Sequence, residues 1–136
     1  MDLDAARGHV RANHRAVLAT LRRDGGPQLS PVAATVDDAG RVVVSSRETA
    51  MKTRNLRRDP RAWLCVMSDR FWGPWVQVEG QVEILSLPAA MEPLVEYYRS
   101  ISGEHGDWAD YRAAMELEGR VLLQIELIRA GPDVSG

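Results

Sequence analysis

The chain has 136 residues, 45% hydrophobic and 26% charged, with a formal net charge of −2. That length suits one ordinary domain with a real core and excludes two full-sized ones. A mildly acidic balance argues against a dedicated nucleic-acid binder, and one cysteine, Cys65, excludes an intrachain disulfide framework or a multi-cysteine metal site.

Residues 3–14 read as a short helix, weakened by Gly8. The stretch around them, "MDLDAARGHVRANHR", is polar and lacks the apolar core of a signal peptide, and no apolar run in the chain approaches a membrane span. The expectation is a cytoplasmic protein with no membrane partner. "AVLATL", residues 16–21, is a strand that ends at the turn Asp24, Gly25 and Gly26. "QLSPVAATV", residues 28–36, returns as its hairpin partner, and "DDAG" turns the chain into "RVVVSS", residues 41–46.

Residues 49–58 lack strand alternation and read as a helix that stops before Pro60. "AWLCVM", residues 62–67, is a strand. In "VQVEGQVEIL", residues 76–85, Val76, Val78, Val82 and Ile84 face one way and Gln77, Glu79, Gln81 and Glu83 the other. Gly80 interrupts the apolar row where a strand bends, bulges or admits another backbone. Met91, Leu94, Val95, Tyr98 and Ile101 recur at helical spacing, Asp107 caps a second helix, and "RVLLQIELI", residues 120–128, closes the series as a strand. Six strands, with one helix inserted and a helical pair before the last, predict a mainly β, six-stranded antiparallel barrel.

The most unusual stretch is "SSRETAMKTRNLRRDPRAW", which gathers Arg47, Lys52, Arg54, Arg57, Arg58 and Arg61 in an acidic chain. Arg57 and Arg58 fall in the last helical turn, where the macrodipole favours a cation, so no ligand is needed to explain them. Lys52 falls in the first turn, where the dipole disfavours it. Two readings follow. Lys52 either snorkels from the edge of the Leu56 face into water or meets an anion at the free first-turn amides, with Ser45, Ser46 and Arg47 closing the site. Glu48 or Asp59 are internal alternatives for the missing negative charge.

The order of "VLATLRRDGGPQLSPV", "KTRNLRRDPRAWL", "WVQVEGQVEIL", "YYRSISGEHGDWADYRAAM" and "RVLLQIELI" resembles the split β-barrel flavin- and deazaflavin-binding superfamily that includes pyridoxamine 5′-phosphate oxidase. Within it the sequence is most similar to the actinobacterial coenzyme F420-dependent reductases. The resemblance spans residues 17–128 and implies a homodimer with cofactor sites between its subunits. It places the cofactor phosphate on Lys52, its polar chain along Ser45, Ser46, Arg47, Ala50 and Met51, and its ring system along Ser30, Pro31 and Val32. Trp75 and Gln77 would approach from the barrel side or from the other subunit. Some relatives carry arginine where this chain has Ala50, so the phosphate would rest on Lys52, helix amides and Arg47. The implied activity is hydride transfer from reduced F420 to an electron-poor conjugated small molecule, with no catalytic side chain named. FMN chemistry on the same fold and a non-catalytic cofactor carrier are the alternatives.

His9, His14 and His105 have no metal-ligand spacing. Cys65 reads as an inert strand thiol and Trp108 as core. A single-strand nucleic-acid patch in "KTRNLRRDPR" is disfavoured by its lack of interleaved aromatics.

Overall fold

The computed structural model describes residues 1–133. In chain order it comprises α1 (Leu3–Ala12), β1 (Arg15–Leu21), β2 (Pro27–Ala33), β3 (Thr35–Val36), β4 (Val42–Arg47), α2 (Met51–Arg58), β5 (Arg61–Val66), β6 (Val76–Leu85), α3 (Met91–Ser102), α4 (Trp108–Glu118) and β7 (Arg120–Asp133).

The sheet is antiparallel, in the order β2-β1-β5-β6-β7-β4-β3. It has seven strands rather than the six expected. The run expected as one strand over residues 28–36 divides at Ala34, whose N–H donates to the His14 carbonyl (2.8 Å) while its carbonyl meets His14 Nδ1 at 2.8 Å. With both polar groups of Ala34 held by His14, the chain bends. β2 then pairs with β1 at one edge and β3 with β4 at the other. Because β2 and β3 are consecutive, the two edges are joined covalently and the sheet curls into a barrel.

The two faces follow from the period-2 patterns. Leu18, Leu64, Val78, Val44, Leu123 and Ile125 fill the interior, which α1 seals with Ala6 and Val10 and α2 with Leu56. The opposite face of β4 and β7 presents Val43 and Leu122 to a second cluster built from Leu94 and Val95 of α3 and Tyr111 and Met115 of α4. Asp2 caps α1 through Ala5 N (2.7 Å), Asp107 caps α4 through Asp110 N (3.1 Å), and Gly119 ends α4 at φ 61°. Gly80 lies at a register shift between β6 and β7, and a Cβ there would stand 2.2 Å from the Glu126 carbonyl oxygen. No other residue allows that approach.

Expected boundaries shift modestly. The first helix ends at Ala12, α2 begins at Met51 after a turn over residues 48–50, and the last strand runs on to Asp133.

Candidate functional site

α2 is short and its start is bare. Ala50 occupies the N-cap position with no side-chain cap, and the first turn contains no acidic residue. Its orientation is nonetheless fixed. Thr53 Oγ1 donates to the Arg47 carbonyl (2.6 Å) and lies 2.8 Å from Ser46 Oγ, while Asn55 Nδ2 donates to Thr20 Oγ1 (3.1 Å). These polar groups are buried between helix and strands, so the first-turn amides are held in one place beside the end of β4.

Of the clustered cations, four have internal partners. Arg57 pairs with Glu48 (Nε to Oε2, 2.7 Å) and Arg61 with Asp59 (2.8 Å). Arg58 donates to the Leu21 carbonyl, and Arg47 reaches Glu118 (3.2 Å). The two acids that the sequence offered as counterions for Lys52 are therefore engaged elsewhere. Among the described residues, neither Lys52 nor Arg54 has a carboxylate partner.

Lys52, the chain's single lysine, is instead beside another cation. Burial, and secondarily repulsion from Arg120, push its ammonium below the ordinary 10.5. Arg120 lies opposite Arg47 in the β4–β7 ladder, and both guanidiniums converge on Glu118 Oε1, at 2.8 and 3.2 Å. The hydrogen bond from Arg120 in turn holds the Glu118 carboxyl below its ordinary range. Two guanidiniums thus share one carboxylate with the unpaired Lys52 ammonium beside them, an arrangement that favours an anion.

The site continues past this cluster. Tyr97 on α3 donates from its hydroxyl to the Ala33 carbonyl (2.7 Å). It therefore ties α3 to the end of β2, with its phenol raised above the ordinary value by burial. Beyond it, Pro31, Val32 and Ala33 line a cleft of about 660 Å³ with His14, Met67 and Ile101. Ser30 faces the interior opposite Leu18, and its buried Oγ has no hydrogen-bond partner. A second cleft of about 730 Å³, between Cys65, Phe71, Trp72 and Trp75, meets the first at Met67.

The expected site residues separate into three positions. Arg47, Ala50, Met51 and Lys52 lie around the start of α2, with Ser45 one step back along β4. Ser46 faces inward and is tied to Thr53. Pro31 and Gln77 lie in one cross-sheet row, Pro31–Val17–Cys65–Gln77. Adjacent strands are about 4.8 Å apart, so Pro31 and Gln77 are roughly 14 Å from each other within one chain. Arg120, Glu118 and Tyr97 belong to the cluster and were not anticipated from the sequence. Arg120 and Glu118 are placed by the β4–β7 register, which brings residue 120 to residue 47, and Tyr97 by its bond from α3 to Ala33.

The remaining candidates resolve structurally. His9 Nε2 lies 3.1 Å from the Val66 carbonyl, His14 holds Ala34, and His105 joins Tyr98, Trp108 and Tyr111 in an aromatic cluster. No group of three or more potential metal ligands occurs among the described residues. Burial pushes the Cys65 thiol up, away from nucleophilic form. No helix among the described residues is long and apolar enough to cross a membrane.

The family profile for pyridoxamine 5′-phosphate oxidase matches residues 3–130. Among solved structures, the chain is similar to a conserved hypothetical protein of Mycobacterium tuberculosis, with 26% identity, a TM-score of 0.77, and 96% of this chain and 82% of the other covered. It is also similar to a protein described as an F420 reductase, with 20% identity, a TM-score of 0.71, and 92% and 94% covered. A putative pyridoxamine 5′-phosphate oxidase of Listeria innocua aligns at 15% identity with a TM-score of 0.68, covering 95% of each chain.

Proposed function

The chain belongs to the pyridoxamine 5′-phosphate oxidase family, and we propose that within it the protein is a reductase dependent on coenzyme F420. The observation that carries this reading is Lys52, half-buried at the uncapped start of α2, without a carboxylate partner, and beside an Arg47–Arg120 pair that shares one acid. A phosphate at that point meets first-turn amides and three cations. The cationic cluster at the uncapped helix start and the apolar cleft at Pro31 and Val32 fit a phosphorylated ring cofactor.

Arg54 favours the deazaflavin over FMN. It is exposed on α2 with no acid beside it among the described residues, and F420 carries a carboxylate-rich tail beyond its phosphate, whereas FMN ends there. When bound, reduced F420 supplies the hydride for an electron-poor conjugated small molecule. The chain's own contribution is positional. Lys52, Arg47 and Arg120 hold the phosphate end, Tyr97 ties α3 to the end of β2, and Pro31 and Val32 line the apolar cleft from which water is displaced.

The same reading includes a homodimer. The cross-sheet rows Leu29–Ala19–Trp63 and Pro31–Val17–Cys65 form an apolar face, and Leu29 at its edge is 62% exposed. Pairing two copies there covers this face and brings Trp75 and Gln77 of the partner subunit to the ring end, across the roughly 14 Å that one chain leaves open.

The test is parallel titration of purified protein with F420 and FMN, followed by reduction assays with conjugated electrophiles. Tighter F420 binding and cofactor-dependent reduction support the proposal. Tighter FMN binding with a bound flavin spectrum assigns the flavin chemistry instead, and F420 binding without turnover on any electrophile identifies a carrier.

A further inference from the structure

A third cavity lies on the far side of Tyr97, outside the cluster around Lys52 and sharing no lining residue with the cleft at Pro31. It has a volume of about 440 Å³ and is walled by Val36 and Val43 of the β3–β4 hairpin, Pro93 of α3 and Leu122 of β7. Gln124 also lines it. This residue is only 6% exposed, and its side-chain amide makes no hydrogen bond among the described residues. An amide buried so deeply normally finds partners for its donors and its acceptor, and leaving them unmade is costly.

The wider environment defines what the amide can receive. Its neighbours across the sheet are Val43 on one side and Glu83 on the other, and Glu83 is exposed rather than turned inward. Ser30 Oγ is the described side-chain polar atom that is both sealed from solvent and unpartnered, so the Gln124 amide retains access through the cavity. At the mouth, Thr35 Oγ1 and Ser100 Oγ lie 3.0 Å apart and satisfy each other. The rim is acidic. Asp37 is paired with Arg41, Glu92 with Arg112 and Glu96 with Arg99, but Asp38 is exposed and has no ion pair among the described residues. An anion is therefore disfavoured at the entrance, in contrast to the cationic cluster at Lys52.

We propose that the cavity between the β3–β4 hairpin and α3 is a second binding site, for a compact uncharged molecule that presents an apolar body to Val43 and Leu122 and an amide- or lactam-type edge to Gln124. A carboxamide matches the glutamine side chain, since each offers an N–H donor and a carbonyl acceptor and the two close a reciprocal pair. The site does not rest on the identity of the cofactor, because none of its lining residues except Tyr97 is shared with the cofactor cluster. Tyr97 forms the wall between the two, so occupancy of one is felt by the phenol that frames the other.

The experiment is a titration of the isotope-labelled full chain with benzamide, followed by NMR, with benzoate as the charged isostere. The expected result is saturable shifts of the Gln124 side-chain amide and of Val43 and Tyr97, with benzoate at least about tenfold weaker. Gln124→Leu is expected to weaken benzamide about tenfold. The wild-type Gln124 amide resonances give the same answer without any variant, should the leucine substitution perturb the fold. The proposal is overturned if benzamide leaves those resonances unmoved, if the shifts map to Pro31 and Val32 instead, or if benzoate binds as well as benzamide.

Discussion

Thr53 Oγ1 donates a 2.6 Å hydrogen bond to the Arg47 carbonyl, and through it the helix that carries Lys52 is fastened to the strand that carries Arg47. Ser46 Oγ closes the arrangement at 2.8 Å from the same hydroxyl. A phosphate site on an eight-residue helix would otherwise be poorly defined, since helices of that length are not stable on their own.

Replacing the hydroxyl by a methyl group tests this fastening. Thr53→Val is expected to lower unfolding stability by about 1 kcal/mol, because it removes one hydrogen bond from the Arg47 carbonyl, which keeps the Ala50 N–H (3.1 Å), and one from the Ser46 hydroxyl, which keeps the Arg47 carbonyl (3.4 Å). Urea denaturation measures the loss, and cofactor affinity should fall alongside it.

Glu118 restrains two guanidiniums that would otherwise face an incoming anion. In Glu118→Gln the negative charge is gone while the shape remains, so Arg47 and Arg120 are left to repel each other and Lys52. The unliganded protein is expected to be less stable and to bind a phosphorylated cofactor more tightly than wild type. Thermal melts with and without cofactor check the two opposite signs.

The lowered pKa of Lys52 has a definite consequence for pH dependence. Its folded value lies below the unfolded 10.5, so the folded state binds fewer protons in that interval and the unliganded protein gains stability as pH rises through it. Phosphate binding requires the ammonium form. Affinity is therefore expected to decline on the alkaline side, beginning below the ordinary lysine value, and Lys52→Arg should move that decline to higher pH. Titrations between neutral and strongly alkaline pH measure it.

Gly80→Ala places a Cβ against the Glu126 carbonyl, where the available distance is 2.2 Å. Because backbone rather than a flexible side chain must move, the cost is expected to exceed about 2 kcal/mol. A chemical melt of the variant supplies the value.

Much of the fold is legible in local patterns. The alternation from Val76 to Ile84, the turn at Asp24 to Gly26 and the Asp107 cap each report a short-range preference that the tertiary structure keeps. The division of the second strand at Ala34 is not local, because it depends on His14, twenty residues away, taking both backbone groups. The same limit applies to the site. Lys52 is conspicuous because a first-turn lysine opposes the helix dipole, but Arg120 and Glu118 enter only when β7 pairs with β4 in one register. Gln77 stands on another strand and Trp75 just before that strand begins, and the distance of Gln77 from Pro31 is one that periodicity cannot reveal.

The central claim is that Lys52 is held for a bound phosphate rather than for the fold. The most direct measurement compares wild type and Lys52→Ala for F420 affinity and for stability without ligand. The account predicts a loss of about 1–3 kcal/mol in binding, with unliganded stability equal to or above wild type, since an ammonium crowded by burial and by Arg120 is removed. Unchanged affinity, or a destabilised protein that binds F420 as before, would contradict it.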